Sequence, residues 1–176
     1  MSRYTIVSST NRQGANSLLL CEIYQKLLRE EGIEARIIDL QELPRDFVFS
    51  ALYDNAQKNE DFNDLVRQVN ESSKLIFTVP EYNGSFPGVL KAFIDGLDFP
   101  ESFKNKKAAM VGLSSGTQGS ALALSHLTDI FNYLGMHVYA AKPRLMHIED
   151  HLNTDGSLSD NYLSLLKEQV SGFVKF

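Results

Sequence analysis

Three stretches of this chain combine hydroxyl, amide and glycine residues in the way that ligand-holding loops do. The first runs Ser8-Ser9-Thr10-Asn11-Arg12-Gln13-Gly14-Ala15-Asn16-Ser17 and opens onto a helical pattern. A helix amino terminus offers free N–H groups and the positive end of its dipole, which suits a phosphate. Ser9, Thr10, Asn16 and Ser17 add donors, and Arg12 adds charge. The second stretch is Pro80-Glu81-Tyr82-Asn83-Gly84-Ser85. It offers backbone amides at Tyr82, Asn83 and Gly84 to the polar edge of a flat ring. Gly84 permits close backbone approach, and Tyr82 can pack against the ring face. The third, Ser114-Ser115-Gly116-Thr117-Gln118-Gly119-Ser120, is open enough to wrap the ring's other edge.

Each loop has a plainer reading. Asn16 or Ser17 can simply cap a helix, the second loop can be a tight turn with a surface tyrosine, and Ser120 can be an N-cap. What favours ligand binding is convergence, and convergence depends on the elements around the loops. Tyr4-Thr5-Ile6-Val7 reads as a buried strand, followed by a helix through Leu20, Ile23, Tyr24, Leu27 and Leu28 that stops at Gly32. Ala35–Asp39 is a second strand. Leu43 to Tyr53 is ambiguous, with Pro44 suggesting a short helix. Phe62, Leu65, Val66 and Val69 mark the next helix, with Glu60 and Asp61 in its first turn. Lys74–Val79 is an almost continuous apolar strand, as expected when both faces are covered. A helix begins at Pro87, a fourth strand runs Lys107–Leu113, and a further helix spans Leu122 to Leu134. Met136–Ala140 is read as a fifth strand and Asn161–Phe176 as a terminal helix.

This alternation predicts an α/β fold: a three-layer sandwich around a five-stranded parallel sheet in the flavodoxin-like order 2-1-3-4-5. In that order strands one, three and four are adjacent, so their carboxyl-end loops share one crevice. A phosphate at the first loop with a flat ring between the other two points to FMN, because both the Walker lysine loop and the G-x-G-x-x-G fingerprint are absent.

The 176 residues fit one domain, 1–176. The net charge of −5 argues against nucleic acid or an anionic membrane as partner, and no apolar stretch reaches membrane-span length. Met1-Ser2-Arg3-Tyr4 leads straight into the first strand without a signal-peptide pattern, and the one cysteine, Cys21, cannot form an internal disulfide; the expected location is the cytoplasm. His126, His137, His147 and His151 lack metal spacing, so no metal site is expected. Phe47, Val48, Phe49 and Leu52 are more apolar than a connecting segment needs, and Phe86, Phe93 and Phe99 lie near the second loop; either some of them cover a subunit interface or they pack on their own core.

Pro80-Glu81-Tyr82-Asn83-Gly84-Ser85, followed by Pro87-Gly88-Val89-Leu90-Lys91-Ala92-Phe93-Ile94-Asp95, resembles the signature of the NADPH-dependent FMN reductase family. Ser9-Thr10-Asn11-Arg12 with Asn16-Ser17 resembles its phosphate loop, and Ser115-Gly116 with Gly119 its third loop. The family often begins the first loop Gly-Ser-x-Arg; here the arginine is displaced by one residue. The resemblance implies bound FMN and a homodimer or homotetramer with the flavin near a subunit interface. It implies that Ser9, Thr10, Arg12, Asn16 and Ser17 take the phosphate. Pro80, Glu81, Tyr82, Asn83 and Gly84 would flank the ring, with Ser115 and Gly116 closing over it. The expected activity is hydride transfer from NADPH or NADH to FMN and on to a small acceptor such as a flavin, quinone or azo compound. The chemistry is flavin-borne, so no catalytic side chain is expected. The alternatives are a flavodoxin-type electron carrier that does not oxidise NAD(P)H, and a flavin-free domain of similar fold.

Overall fold

The computed structural model describes residues 3–176; Met1 and Ser2, part of the amino-terminal reading, lie outside the described residues. Among the described residues there are six strands and six α-helices: β1 (Tyr4–Ser8), α1 (Asn16–Glu30), β2 (Ala35–Asp39), α2 (Phe47–Ser50), α3 (Glu60–Asn70), β3 (Lys74–Pro80), α4 (Gly88–Gly96), β4 (Lys107–Leu113), α5 (Ala121–Tyr133), β5 (His137–Val138), β6 (Arg144–Leu145) and α6 (Asp160–Lys175). The strand order is β2-β1-β3-β4-β5, all pairings are parallel, and β6 also pairs with β4.

Burial explains the sandwich. β1 is buried at every position, and β3 and β4 are buried at all but one. Successive strand residues point to opposite faces, so each strand feeds two cores. Val7, Phe77, Val79 and Met110 join the apolar sides of α3, α4 and α5. Ile6, Ile76, Ala109 and Val111 join those of α1 and α6. A sheet covered on both faces has no room for alternating polar residues, hence the continuous Leu75–Val79 run.

One expectation is corrected here. The fifth strand, read as Met136–Ala140, forms only at His137–Val138. The edge of β4 is then left, and taken up again by Arg144–Leu145. In the gap, the buried Gln169 of α6 donates from Nε2 to Met110 O and Ala141 O, both at 2.8 Å, and accepts from the Tyr24 hydroxyl. A side chain thus replaces the missing stretch of strand, and Pro143, which has no N–H to donate, lies in that stretch. The apolar segments divide between the two readings left open by the sequence. Phe47, Leu52 and Phe93 are buried in their own core, with Phe47 stacked on Phe62 at 5.5 Å; Val48, Phe49 and Phe99 are exposed, together with Tyr53 and Tyr133.

Two buried lysines close helix ends. Lys106 Nζ donates to Val69 O at 2.6 Å and Asn70 O at 2.9 Å, the carbonyls that end α3. Lys74 Nζ donates to Phe173 O at 2.9 Å and Val174 O at 3.0 Å in α6. A cation at a helix carboxyl terminus satisfies orphan carbonyls and favours the dipole.

Candidate functional site

The parallel register carries β1, β3 and β4 to a common end, with Ser8 opposite Thr78 and Pro80 opposite Leu113. The three polar loops leave the sheet from there. Between them lies a cleft of about 90 Å³ lined by Arg12, Asn16, Ser17, Pro80, Glu81, Tyr82 and Ser115 of the residues named from sequence. Gly14, Ala15, Leu113, Ser114, Ile148 and Glu149 complete the lining. Room for about three waters accepts a phosphate and part of a chain; a tricyclic ring must extend onto the rim.

The first loop is built to leave its donors free. The N-cap of α1 is Ala15, without a side-chain cap, and Ala15, Asn16 and Ser17 line the cleft, so the first N–H groups of a 15-residue helix start there without a side-chain partner, while Leu18 N–H closes onto Ala15 O at 3.2 Å. Neither Asn16 nor Ser17 serves as the cap; Ser17 Oγ instead meets Ser8 Oγ at 3.2 Å. Ser9 and Thr10 are fully buried. Ser9 N–H donates to Thr78 O at 3.2 Å, locking the loop to β3. Thr10 Oγ1 accepts from Arg12 N–H at 3.3 Å and shares a 2.8 Å hydrogen bond with Tyr82 Oη. Ser9 and Thr10 therefore shape the loop without lining the cleft, whereas Arg12 is exposed at its mouth.

The second loop is a two-residue hairpin. Tyr82 and Ser85 exchange both backbone hydrogen bonds, at 2.8 and 3.0 Å, around Asn83 at φ 52° and Gly84 at φ 73°. Two successive positive φ values make a type I′ turn, for which Asn-Gly is the favoured pair. The Tyr82 and Glu81 amides are thereby committed, to Ser85 O and to Leu113 O at 3.0 Å. Ser85 Oγ meets His126 Nδ1 of α5 at 2.9 Å. Glu81 Oε2 accepts Ser120 N–H at 3.0 Å and so ties the second loop to the third.

The third loop is held by backbone contact. A Cβ on Gly112 would collide with the carbonyl of Gly119 and come within 2.7 Å of Ser120 Cβ, so glycine is what lets the loop fold back over β4. Ser114 Oγ accepts Gly119 N–H at 2.9 Å. Ser120 stands at the N-cap position of α5, but its hydroxyl donates to Leu113 O rather than capping the helix. Asn83, Gly84 and Gly116, named from sequence, lie in the loops but not in the lining of the cleft.

Sequence reading missed the segment after β6. Ile148 N–H donates to Ser114 O and His147 N–H to Gly116 O, both at 3.1 Å. This lays residues 146–151 along the third loop and brings Glu149 to Ser115, whose Oγ donates to Glu149 Oε1 at 2.7 Å. No local signal in Met146-His147-Ile148-Glu149 announces this, because it depends on β6 pairing with β4. Among the described residues no group of three or more His, Cys, Asp or Glu side chains is placed to hold a metal. Among them, too, no helix is long and apolar enough to cross a membrane.

Residues 2–147 match the family model described as NADPH-dependent FMN reductase. A 2-hydroxy-1,4-benzoquinone reductase from a Burkholderia species is 29% identical over 183 residues, covering 97% of this chain and 94% of that protein. An FMN-dependent NADPH-azoreductase of Staphylococcus aureus is 28% identical over 178 residues, covering 96% of this chain and 93% of its own. Among solved structures, the flavoenzyme NAD(P)H:(acceptor) oxidoreductase FerB from Paracoccus denitrificans superposes with a TM-score of 0.77 at 26% identity, covering 99% of this chain and 95% of that one.

Proposed function

Because the chain belongs to the NADPH-dependent FMN reductase family, we propose that the three-loop cleft is its flavin site. The chain is an FMN-dependent NAD(P)H oxidoreductase serving a small acceptor. When bound, FMN supplies the redox chemistry, taking a hydride from NAD(P)H and passing the electrons to that acceptor. The observation that carries the site assignment is the uncapped amino terminus of α1 beside Arg12, in the same cleft as Tyr82. Donors without partners at a helix start fit a phosphate, and the rigid hairpin at the rim fits a flat ring.

In this reading Arg12 and the first amides of α1 hold the phosphate, with Asn16 and Ser17 at the same wall. Ser9 and Thr10 hold the loop in shape. Pro80, Glu81 and Tyr82 flank the ring, and Ser115 and Gly116 border its other edge. The Asn83 and Gly84 amides, which the type I′ turn leaves outside its own hydrogen bonds, stabilise negative charge that builds on the ring during reduction. A quinone is the acceptor class we favour, from the full-length similarity to the benzoquinone reductase.

We further propose that residues 1–176 act as one domain in the cytoplasm, in keeping with a single, buried, free cysteine. A second copy of the chain covers the face between α4 and α5. There Phe99 is 68% exposed and Tyr133 88% exposed beside a groove of about 650 Å³ that Ile94, Leu97, Ile130 and Leu134 also line. Light scattering at micromolar concentration should give twice the chain mass, reduced to one chain in Tyr133→Asp.

The flavin assignment is tested by reconstitution. Protein incubated with FMN and desalted should stay yellow, and NADPH should bleach it in anaerobic stopped flow. A colourless product overturns the cofactor reading; bleaching only by a protein donor favours an electron carrier.

A further inference from the structure

The two walls of the cleft differ in hydrogen-bonding character. One wall donates: the amides that start α1, and the Arg12 guanidinium. The side chains that the third loop and the segment after β6 bring to the lining, Ser115 and Glu149, offer acceptors instead. Ser115 has one hydroxyl proton and spends it on Glu149 Oε1 at 2.7 Å, which leaves its oxygen lone pairs as acceptors. Glu149, ionised, offers acceptor oxygens only. It makes no ion pair among the described residues. The arrangement is also braced from behind. His147 Nδ1 donates to Ser115 O at 3.1 Å, which fixes its tautomer, and His147 N–H donates to Gly116 O. His147 holds a φ of 46°, the left-handed region, which is uncommon for non-glycine residues but enriched in Asn, Asp and His.

Donors at the start of α1 with side-chain acceptors at Ser115 and Glu149 suit a ligand with an anion at one point and hydroxyl groups beside it. We propose that Glu149, with Ser115, is a specificity-determining residue that accepts hydrogen bonds from the hydroxyls of the cofactor's sugar-alcohol chain. This rests on the FMN reading above and extends it to a segment of the chain for which no role has been given. The carboxylate has a second effect, a weak repulsion of the phosphate. Glu149 is exposed, so water and salt screen that repulsion, and the direct hydrogen bonds decide the sign.

The test compares two probes that share ring and phosphate: FMN, and an analogue in which an unsubstituted pentyl chain replaces the ribityl chain. Dissociation constants come from quenching of flavin fluorescence. The wild type should prefer FMN by about tenfold, from one to two hydrogen bonds. In Glu149→Ala the two probes should bind alike, because FMN weakens and the analogue does not. Glu149→Gln keeps an acceptor and should restore part of the preference. The inference is overturned if the wild type shows no preference or if the preference survives in Glu149→Ala. Equal weakening of both probes, which marks a merely structural role, overturns it as well, as does tighter FMN binding in Glu149→Ala. Failure of the wild type to bind either probe overturns the flavin reading itself.

Discussion

Thr10 Oγ1 and Tyr82 Oη stand 2.8 Å apart across 72 positions of sequence, so one hydroxyl pair fastens the first loop to the hairpin of the second. Thr10 is fully buried and Tyr82 is half-buried, which makes the bond a fixed tether rather than a surface contact. Tyr82→Phe keeps the aromatic face and removes the tether. A neutral hydrogen bond of about 1 kcal/mol corresponds to about a fivefold loss of FMN affinity. Thr10→Val should cost at least as much, because it also removes the acceptor of Arg12 N–H, and the double variant no more than Thr10→Val alone. Flavin titration of the three variants checks this; additive losses would show that the two residues act separately.

Arg12 lines the mouth of the cleft and takes part in none of the ion pairs among the described residues. Arg12→Ala should raise the FMN dissociation constant by about 10- to 100-fold, the range for a charge-assisted hydrogen bond. Turnover measured with saturating FMN should fall much less. The salt dependence of FMN binding should flatten in the variant, and titrations at two ionic strengths read it directly.

Gln169 is 1% exposed and bridges Tyr24, Met110 and Ala141 through one side-chain amide. Gln169→Leu matches its size but strands two carbonyls and a phenol. Buried unpaired groups cost about 1–3 kcal/mol each when only one partner is removed. The midpoint of thermal unfolding should drop by at least about 6 °C for a chain of this length. A drop under 2 °C would mean that water reaches the gap.

Burial pushes the Lys106 ammonium down from its usual 10.5 to about 8. The unfolded chain then holds this proton at pH values where the folded chain has released it. Between about pH 8 and 10.5 the unfolded state binds more protons, so this lysine makes stability rise with pH across that window. Lys106→Met should remove the rise. Urea unfolding of both proteins at pH 7 and pH 9.5 isolates it as the difference of differences.

Cys21 is fully buried, donates to or accepts from Thr78 Oγ1 at 3.2 Å, and has its thiol pushed up to about 12, chiefly by burial. A thiolate is the reactive form. A chromogenic disulfide reagent at pH 8 should leave the native protein unlabelled over an hour and label one thiol per chain in urea. Prompt labelling without urea would show that α1 opens locally.

The sequence made the sheet legible because both of its faces are covered. Leu75–Val79, apart from Thr78, and Ala108–Leu113 are apolar, and runs of that length between helical periods leave few alternatives. The loops were legible from residue type. Asn83-Gly84 was also a readable sign of a type I′ hairpin, which commits the Tyr82 amide to Ser85 and removes it from the donors available to a ring. What stayed hidden depends on distant partners. The break after Val138 is stabilised by Gln169, 59 positions from the Met110 carbonyl it serves. Glu149 enters the cleft only because β6 rejoins β4. No window of neighbouring residues encodes either fact. For the same reason the sequence left open which of Phe47, Val48, Phe49, Leu52, Phe93 and Phe99 pack on their own core: period alone cannot tell a face that meets the core from one that meets solvent.

The break between β5 and β6 also bears on how the chain behaves in company. The outer edge of a sheet is a template onto which another chain can add a strand, and long, flat, unprotected edges start aggregates. Here that edge consists of two pieces of two residues each, parted by a stretch containing Pro143 and pinned by a buried glutamine. Neither piece is long enough to seat a foreign strand. Replacing the intervening residues with a continuous β-branched run would complete the sheet and, with it, create a sticky border that the natural sequence lacks.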